Sequence, residues 1–262
     1  MTDSPSVTYV VADGVATITL ARPDARNVLD AESLRLLLVH FEDAAEDDSV
    51  RVVVLTGAGR AFCAGADLRS TSAGNAEGFT AAGPQALVNV LTSMLDHPKP
   101  IIARVQGHVA GGGNGLVAAA DLAVSVEHAT FAFSEVRVGV APAVISVVTL
   151  RKMTPAHAAE LLLTGERVSA TRALEAGLLN AVVPEDALDA TVHRYIRQLR
   201  LGGPEAVSRA KELLRRVPTM PMSDAFEYTA ELSAALFSSA EAAEGMTAFL
   251  QKRPAAWAPQ EG

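Results

Sequence analysis

The sequence predicts an α/β fold, and three observations carry that expectation. Short apolar runs at residues 50–56, Ile101–Val105 and Leu122–Val126 are long enough only for buried strands. The stretches between them place apolar residues at helical spacing. Strand and helix therefore alternate, the pattern of chains with a parallel sheet.

Taken in order, residues 7–11 and Val15–Leu20 are β-rich runs joined by Ala12-Asp13-Gly14, and an Asp-Gly pair between such runs predicts a hairpin. Asp30 can cap a helix carrying Leu34, Leu37, Leu38 and Phe41 on one face. After the strand at 50–56, residues 57–68 read as a Gly/Ala-rich loop and 70–83 as a second, Ser/Thr/Ala/Gly-rich one. Pro84 predicts the start of a helix through Leu87, Val88, Leu91 and Leu95, which His97-Pro98-Lys99-Pro100 breaks. Gly111-Gly112-Gly113 leads from the next strand into a small-residue helix ending near Ala120. From Pro155 the chain reads almost entirely as helix, with one short apolar run at 178–183 and helices near 186–200, 204–217, 223–239 and 241–251. Leu201-Gly202-Gly203-Pro204 divides a core of residues 1–200 from a helical region of 201–262. That region is too small to stand alone, so its apolar faces are expected to pack on the core or on another subunit.

Composition narrows the function. The chain has 262 residues, with Lys+Arg 22 against Asp+Glu 30, a net charge of −8 that weighs against nucleic-acid partners. A single cysteine, Cys63, excludes an internal disulfide framework and a multi-cysteine metal site. The histidines at 40, 97, 108, 128, 157 and 193 lack metal-ligand spacing, so no metal is expected. Neither a phosphate-binding P-loop, a dinucleotide fingerprint nor a nucleophile elbow is present. With no targeting segment and no apolar run approaching ~18 residues, the expectation is a cytoplasmic protein without a membrane partner.

Two glycine-rich turns remain, each after a buried strand: Arg60-Ala61-Phe62-Cys63-Ala64-Gly65-Ala66-Asp67-Leu68, and Gln106 through Leu116 with Gly111-Gly112-Gly113-Asn114-Gly115 at its centre. Small residues let a ligand approach the backbone, and a helix beginning near Gly112 offers free N–H groups. Side by side, such turns could aim two N–H donors at one developing oxyanion, each worth roughly 3–4 kcal/mol in a transition state. For either turn alone, tight helix–strand packing is the better explanation of the glycines.

In these residues the chain resembles the crotonase superfamily, best known for enoyl-CoA hydratases and isomerases. The similarity covers about residues 8–257 and rests on five segments in order. RPDARN (22–27) resembles the family's early CoA-contacting segment, AFCAGADL (61–68) its first oxyanion loop and GHVAGGGNGLVAAAD (107–121) its second. FAFSEVRVGVAP (131–142) resembles the segment bearing a catalytic glutamate, and EGMTAFLQKRPAAW (244–257) the closing helix. The resemblance implies a spiral of ββα units with a helical C-terminal trimerisation region, assembled as a homotrimer or hexamer. It implies an acyl-CoA thioester as substrate, with coenzyme A part of that substrate and no separate cofactor. Carried over residue by residue, it implies oxyanion donors at Ala66 and Gly112 and a catalytic carboxylate at Glu135. CoA or substrate contacts fall at Arg26, Ala64, Asp67, Leu68, Gly111, Phe249 and Lys252, the last two serving across a subunit boundary in some members. Arg26 reads equally well as exposed surface charge.

One departure from the family pattern bears on mechanism. Family hydratases commonly carry two glutamates, because one carboxylate can accept a proton while the other donates it. Here the second is Glu135, flanked by Phe131 and Phe133, whose burial is expected to raise its pKa. The first falls at Gly115, and the next acidic residue is Asp121. Asn114 or Asp67 is left to hold a water, but neither is a good base there and Asp67 reads better as stabilising its loop; the small residue at 115 is expected to open room for a bulkier or branched acyl group, or for a carboxylate on the substrate to take part. The leading expectation is an enoyl-CoA hydratase, and SEVRVGVAPAVIS (134–146) is similar to a subgroup handling branched or glutaconyl-type esters. A single-glutamate 3,2-enoyl-CoA isomerase is the alternative, and a non-catalytic acyl-CoA-binding member the third reading.

Overall fold

The computed structural model describes residues 5–66 and 82–259. Its strands are β1 (Val7–Ala12), β2 (Val15–Leu20), β3 (Val52–Gly57), β4 (Ala61–Cys63), β5 (Ile101–Val105), β6 (His108–Ala110), β7 (Leu122–Val126), β8 (Thr130–Ala132), β9 (Arg167–Ser169) and β10 (Ala181–Val183). Its helices are α1 (Ala31–Glu46), α2 (Ala82–Asp96), α3 (Gly112–Ala119), α4 (Ala143–Thr149), α5 (Pro155–Thr164), α6 (Ala170–Glu175), α7 (Leu188–Leu201), α8 (Pro204–Arg216), α9 (Met222–Phe237) and α10 (Ala240–Leu250).

The strands form two sheets. The larger runs β1-β2-β3-β5-β7-β10, with β1 antiparallel to β2 and every other neighbour parallel. The smaller runs β4-β6-β8-β9, with β4, β6 and β8 parallel. Consecutive strands alternate between the sheets: β3, β5 and β7 enter the larger, and β4, β6 and β8 follow into the smaller. Each turn of the chain thus adds one strand to each sheet, the spiral that the resemblance implies.

The hairpin forms where Asp13-Gly14 predicts it, both residues at positive φ (47° and 72°), as a two-residue turn matched to strand twist requires. Asp30 caps α1, accepting the Ser33 N–H at 2.8 Å, while the Ser33 hydroxyl receives the Asp30 N–H at 2.8 Å. The expected loop at 57–68 is different: it contains β4, buried throughout. Strands β6, β8, β9 and β10 also sit where no strand, or only a short apolar run, is expected. They have three residues each, too few to show a period. The C-terminal helices begin and end within two residues of expectation.

Residues buried between the larger sheet and its helices form the core, among them Ile18, Leu37, Phe41, Leu55, Met94 and Ile102. At its lower edge, where β5 begins, Lys211 of α8 is buried. Its Nζ lies 2.9 Å from Asp121 Oδ2 and donates to the Met94 and Lys99 carbonyls at 3.0 and 3.2 Å. This ties the C-terminal region to the core, since a buried ammonium without partners would be costly. By contrast α9 buries no residue, and Met222, Phe226 and Phe237 lie open. Part of the tail's apolar surface is therefore not packed on its own core.

Near the same edge His97 is buried, its Nδ1 accepting the Lys99 N–H at 3.1 Å and its Nε2 3.1 Å from the Phe41 carbonyl. Burial lowers its pKa from 6.5 to about 4. Between those values the unfolded chain binds a proton that the folded chain refuses, so stability falls as pH drops through that window. The whole effect is on the order of 3 kcal/mol. Chemical denaturation at stepped pH should show this slope, and His97→Gln should flatten it.

Candidate active site

Three successive turns of the spiral deliver the parts of one site. Because β4, β6 and β8 are parallel neighbours, the segments that leave their C-terminal ends emerge side by side, at strand spacings of ~4.8 Å. They are Ala64-Gly65-Ala66, Gly111-Gly112, and the segment from Phe133 into a short 3-10 helix, Ser134–Val138.

The first two segments touch through glycine backbone. Gly65 has φ +84°, and a Cβ there would fall 2.9 Å from the Ala110 carbonyl oxygen and 3.2 Å from Gly112 N. Only a residue without a Cβ allows that approach without displacement. Gly111, at φ +51°, caps α3, so Gly112 is the first residue of the helix and its N–H has no partner within it. Ala66 makes an isolated parallel bridge with Leu29, in which the Leu29 N–H donates to the Gly65 carbonyl at 2.8 Å. In such a bridge the N–H of Ala66 itself points away from Leu29.

Asn27 holds the first turn from behind. Its Nδ2 donates to the carbonyls of Ala58 (2.9 Å), Ala61 (2.7 Å) and Phe62 (3.3 Å), and its Oδ1 accepts the Arg22 N–H at 2.9 Å. Sequence reading passed over this clamp, although an Asn in the 22–27 segment carries both a donor and an acceptor. Arg26 contributes its backbone, its carbonyl accepting the Ala64 N–H at 3.0 Å, while its side chain is exposed.

Glu135 lies on the third segment. The two phenylalanines before it are fully buried and the glutamate half-buried. Burial raises its pKa above 4.5. Its Oε2 is buried without a hydrogen-bond partner, and its Oε1 lies 3.7 Å from where a Cβ on Gly111 would be. The carboxyl therefore stands beside the second turn, more basic than a solvated glutamate and with an oxygen free to take a proton. Asn114 fixes the approach to it: its Nδ2 donates to the Ala132 carbonyl at 2.9 Å, which also accepts the Gly111 N–H at 3.1 Å.

The expectation that Gly115 opens room is overturned. A Cβ at 115 would lie 2.6 Å from Ile145 Cγ2, 3.2 Å from Ile145 Cβ and 3.6 Å from Leu91 Cδ1. The space is filled by Ile145 of α4, because a close-packed interior closes over a missing side chain. Cys63 is no nucleophile here, since burial pushes its thiol up to about 12.

Asp67 and Leu68 lie outside the described residues, as does most of the 70–83 loop. Phe249 is exposed on α10, and Lys252 follows it at φ +53°. Their neighbourhood is anchored at the N-terminal end of β3. The Trp257 carbonyl accepts from Arg51 Nη1 at 3.2 Å just before β3, and Glu241 accepts the Glu205 and Ala206 N–H groups at 2.9 Å. The structure thus brings together Ala64, Ala66, Gly111, Gly112 and Glu135, but not Phe249 or Lys252 of the same chain. Among the described residues no group of three His, Cys, Asp or Glu could hold a metal ion, and no helix is long and apolar enough to cross a membrane.

Residues 11–260 match the family described as enoyl-CoA hydratase/isomerase, and the chain belongs to that family. A carnitinyl-CoA dehydratase of Salmonella typhi is 34% identical over 249 residues, covering 93% of this chain and 94% of that protein. The crystal structure of an enoyl-CoA hydratase of Mycobacterium smegmatis superimposes with a TM-score of 0.92 at 35% identity, covering 97% and 99% of the two chains. That of human enoyl coenzyme A hydratase domain-containing protein 3 gives 0.91 at 30% identity, covering 96% and 100%.

Gly65→Ala should separate the two turns. For the oxyanion donors that the resemblance implies, the expected loss in turnover is about 10²–10³-fold, the value of one such donor. Gly14→Ala is the control: φ is similarly positive at +72°, but the new Cβ meets nothing closer than 3.4 Å. It should lower the melting temperature without slowing turnover.

Proposed function

We propose that the protein is an enoyl-CoA hydro-lyase whose one acid–base group is Glu135. The observation that carries this reading is the half-buried Glu135 carboxyl, with Oε2 unpartnered, beside two backbone turns in contact. The thioester carbonyl of a 2-enoyl-CoA would accept the N–H groups of Ala66 and Gly112. As water adds at the β carbon, Glu135 takes one of its protons and the π electrons move onto the thioester oxygen. The enolate then collapses, and Glu135 returns the proton to the α carbon. One carboxylate completes the cycle, and the reverse path is dehydration. The names of the hydratase and dehydratase relatives support this class of reaction.

A second reading has its own observation. Ile145 fills the space beside Gly115, so no second carboxylate assists water there. A lone carboxylate also suits a 3,2-enoyl-CoA isomerase, which takes a proton from the α carbon of a 3-enoyl ester and returns it to the γ carbon.

The exposed apolar surface of α9 and α10 supports assembly as a homotrimer, in which Phe249 and Lys252 would serve a neighbouring subunit's CoA. Arg26, exposed beside the first turn, is a partner for CoA phosphate.

Turnover of crotonyl-CoA, a branched 2-enoyl-CoA and a 3-enoyl-CoA, with products resolved by mass, tests the proposal. A gain of one water supports the hydro-lyase; unchanged mass with a shifted double bond supports the isomerase. Glu135→Gln should lose about 10²–10⁴-fold in rate while folding at least as stably, because it removes a desolvated carboxylate. Since the base must be ionised, the acid limb of the wild-type rate should lie above pH 4.5, the ordinary glutamate value. CoA-ester binding with no turnover on any ester would leave the non-catalytic reading.

A further inference from the structure

We infer that Asn27 is a positioning residue for the first oxyanion donor: its buried amide locks residues 26–29 onto the stem of the first turn, and that lock sets the direction of the Ala66 N–H. The inference rests on the thioester reading above and adds to that site a residue outside both turns and the glutamate segment.

Asn27 is buried, and it and Arg26 both hold left-handed backbone, at φ 54° and 55°. Asn tolerates that conformation better than most side chains. The turn closes on itself: the Asn27 N–H donates to the Arg22 carbonyl at 2.9 Å, and Asn27 Oδ1 accepts the Arg22 N–H at 2.9 Å. With Oδ1 engaged there, Nδ2 is aimed at the carbonyls of Ala58, Ala61 and Phe62. The end of β3 leaves room for it. A Cβ on Gly57 would fall 2.8 Å from Asn27 Nδ2 and 2.4 Å from the Phe62 carbonyl oxygen. The side chain thus ties the loop after β2 to the stem of the first turn.

Beyond this tie, residues 26–29 run beside 64–66. The Ala64 N–H donates to the Arg26 carbonyl at 3.0 Å, the Leu29 N–H donates to the Gly65 carbonyl at 2.8 Å, and Leu29 and Ala66 form the parallel bridge. Asn27 lies between those two bonds. The Arg22 guanidinium pairs with Asp30, the cap of α1, which fixes the far end of the segment. Because the bridge turns the Ala66 N–H away from Leu29, a shift of this segment re-aims the donor. Gln106 Nε2 donates independently to the Ala61 and Gly59 carbonyls, at 2.9 and 3.3 Å. β4 therefore keeps a second tether when the Asn27 amide is removed, and the register of 64–66 is what the removal disturbs.

The test uses Asn27→Gly, which keeps the left-handed backbone without the amide, and Asn27→Asp, which keeps an acceptor for Arg22 but offers the three carbonyls no donor. Phe41→Leu, beside His97 at the lower edge of the core, is the control for lost stability alone. Infrared difference spectra of bound butyryl-CoA, carrying a carbon isotope label at the thioester carbonyl, read donor alignment without turnover. Wild type and Phe41→Leu should move the carbonyl band to lower frequency by the same amount, and both Asn27 variants should move it less. For the preferred enoyl ester, kcat should fall about 10²-fold in both, the cost of a ~1 Å misplacement, with Kd for butyryl-CoA near the wild-type value. A wild-type band shift retained in full by both Asn27 variants overturns the inference, as does a loss of kcat/KM carried wholly by weaker binding. An equal effect in Phe41→Leu also overturns it, since lost stability would then suffice. No band shift in the wild type itself defeats the thioester reading, and the inference with it. Asn27→Asp, isosteric with the native residue, carries the test if the glycine variant folds poorly.

Discussion

Everything at the site depends on the parallel pairing of three three-residue strands. β4, β6 and β8 hold Cys63 opposite Val109, and Val109 opposite Phe131. From that register Gly65, Gly111 and Phe133 each follow two residues later, at adjacent strand ends. Few backbone hydrogen bonds are involved, so the pairing is reinforced from outside: Asn27 ties the carbonyls of Ala58, Ala61 and Phe62, and Gly111 N–H and Asn114 share the Ala132 carbonyl. Preorganised donors cost no reorganisation when charge develops, which is the advantage of building them from backbone on paired strands.

Most of the larger sheet was legible in the sequence because β1, β2, β3, β5 and β7 are five or six residues long, and the apolar runs of β3, β5 and β7, buried along nearly their whole length, stand out. Helix starts were legible where a cap marks them, as at Asp30. The smaller sheet was not, because three residues such as His108-Val109-Ala110 carry no period and lie within Gly/Ala-rich sequence that reads as loop. The two turns could be picked out as candidates, and the glutamate by resemblance. Their contact could not, since it arises from residues 46 apart in the chain brought together by the spiral.

Gly115 shows a different limit. Removing a side chain from a motif suggests vacancy, but packing density is a property of the whole neighbourhood. Ile145, thirty residues on, takes the space, and the site becomes more apolar rather than larger. With no carboxylate at 115, the proposed proton chemistry rests on Glu135, whose buried and unpartnered oxygen is suited to it. Removing one buried charge from a site also removes its desolvation cost.

The central claim is that Glu135 and the two turns together make and quench a thioester enolate. Exchange of the α protons of a saturated ester, butyryl-CoA, into deuterated water tests this without regard to hydration or isomerisation, followed by NMR. The account predicts exchange by the wild type, lost in Glu135→Gln and strongly slowed in Gly65→Ala. Tight binding of the ester with no exchange above the uncatalysed rate, or exchange undiminished in Glu135→Gln, would contradict it.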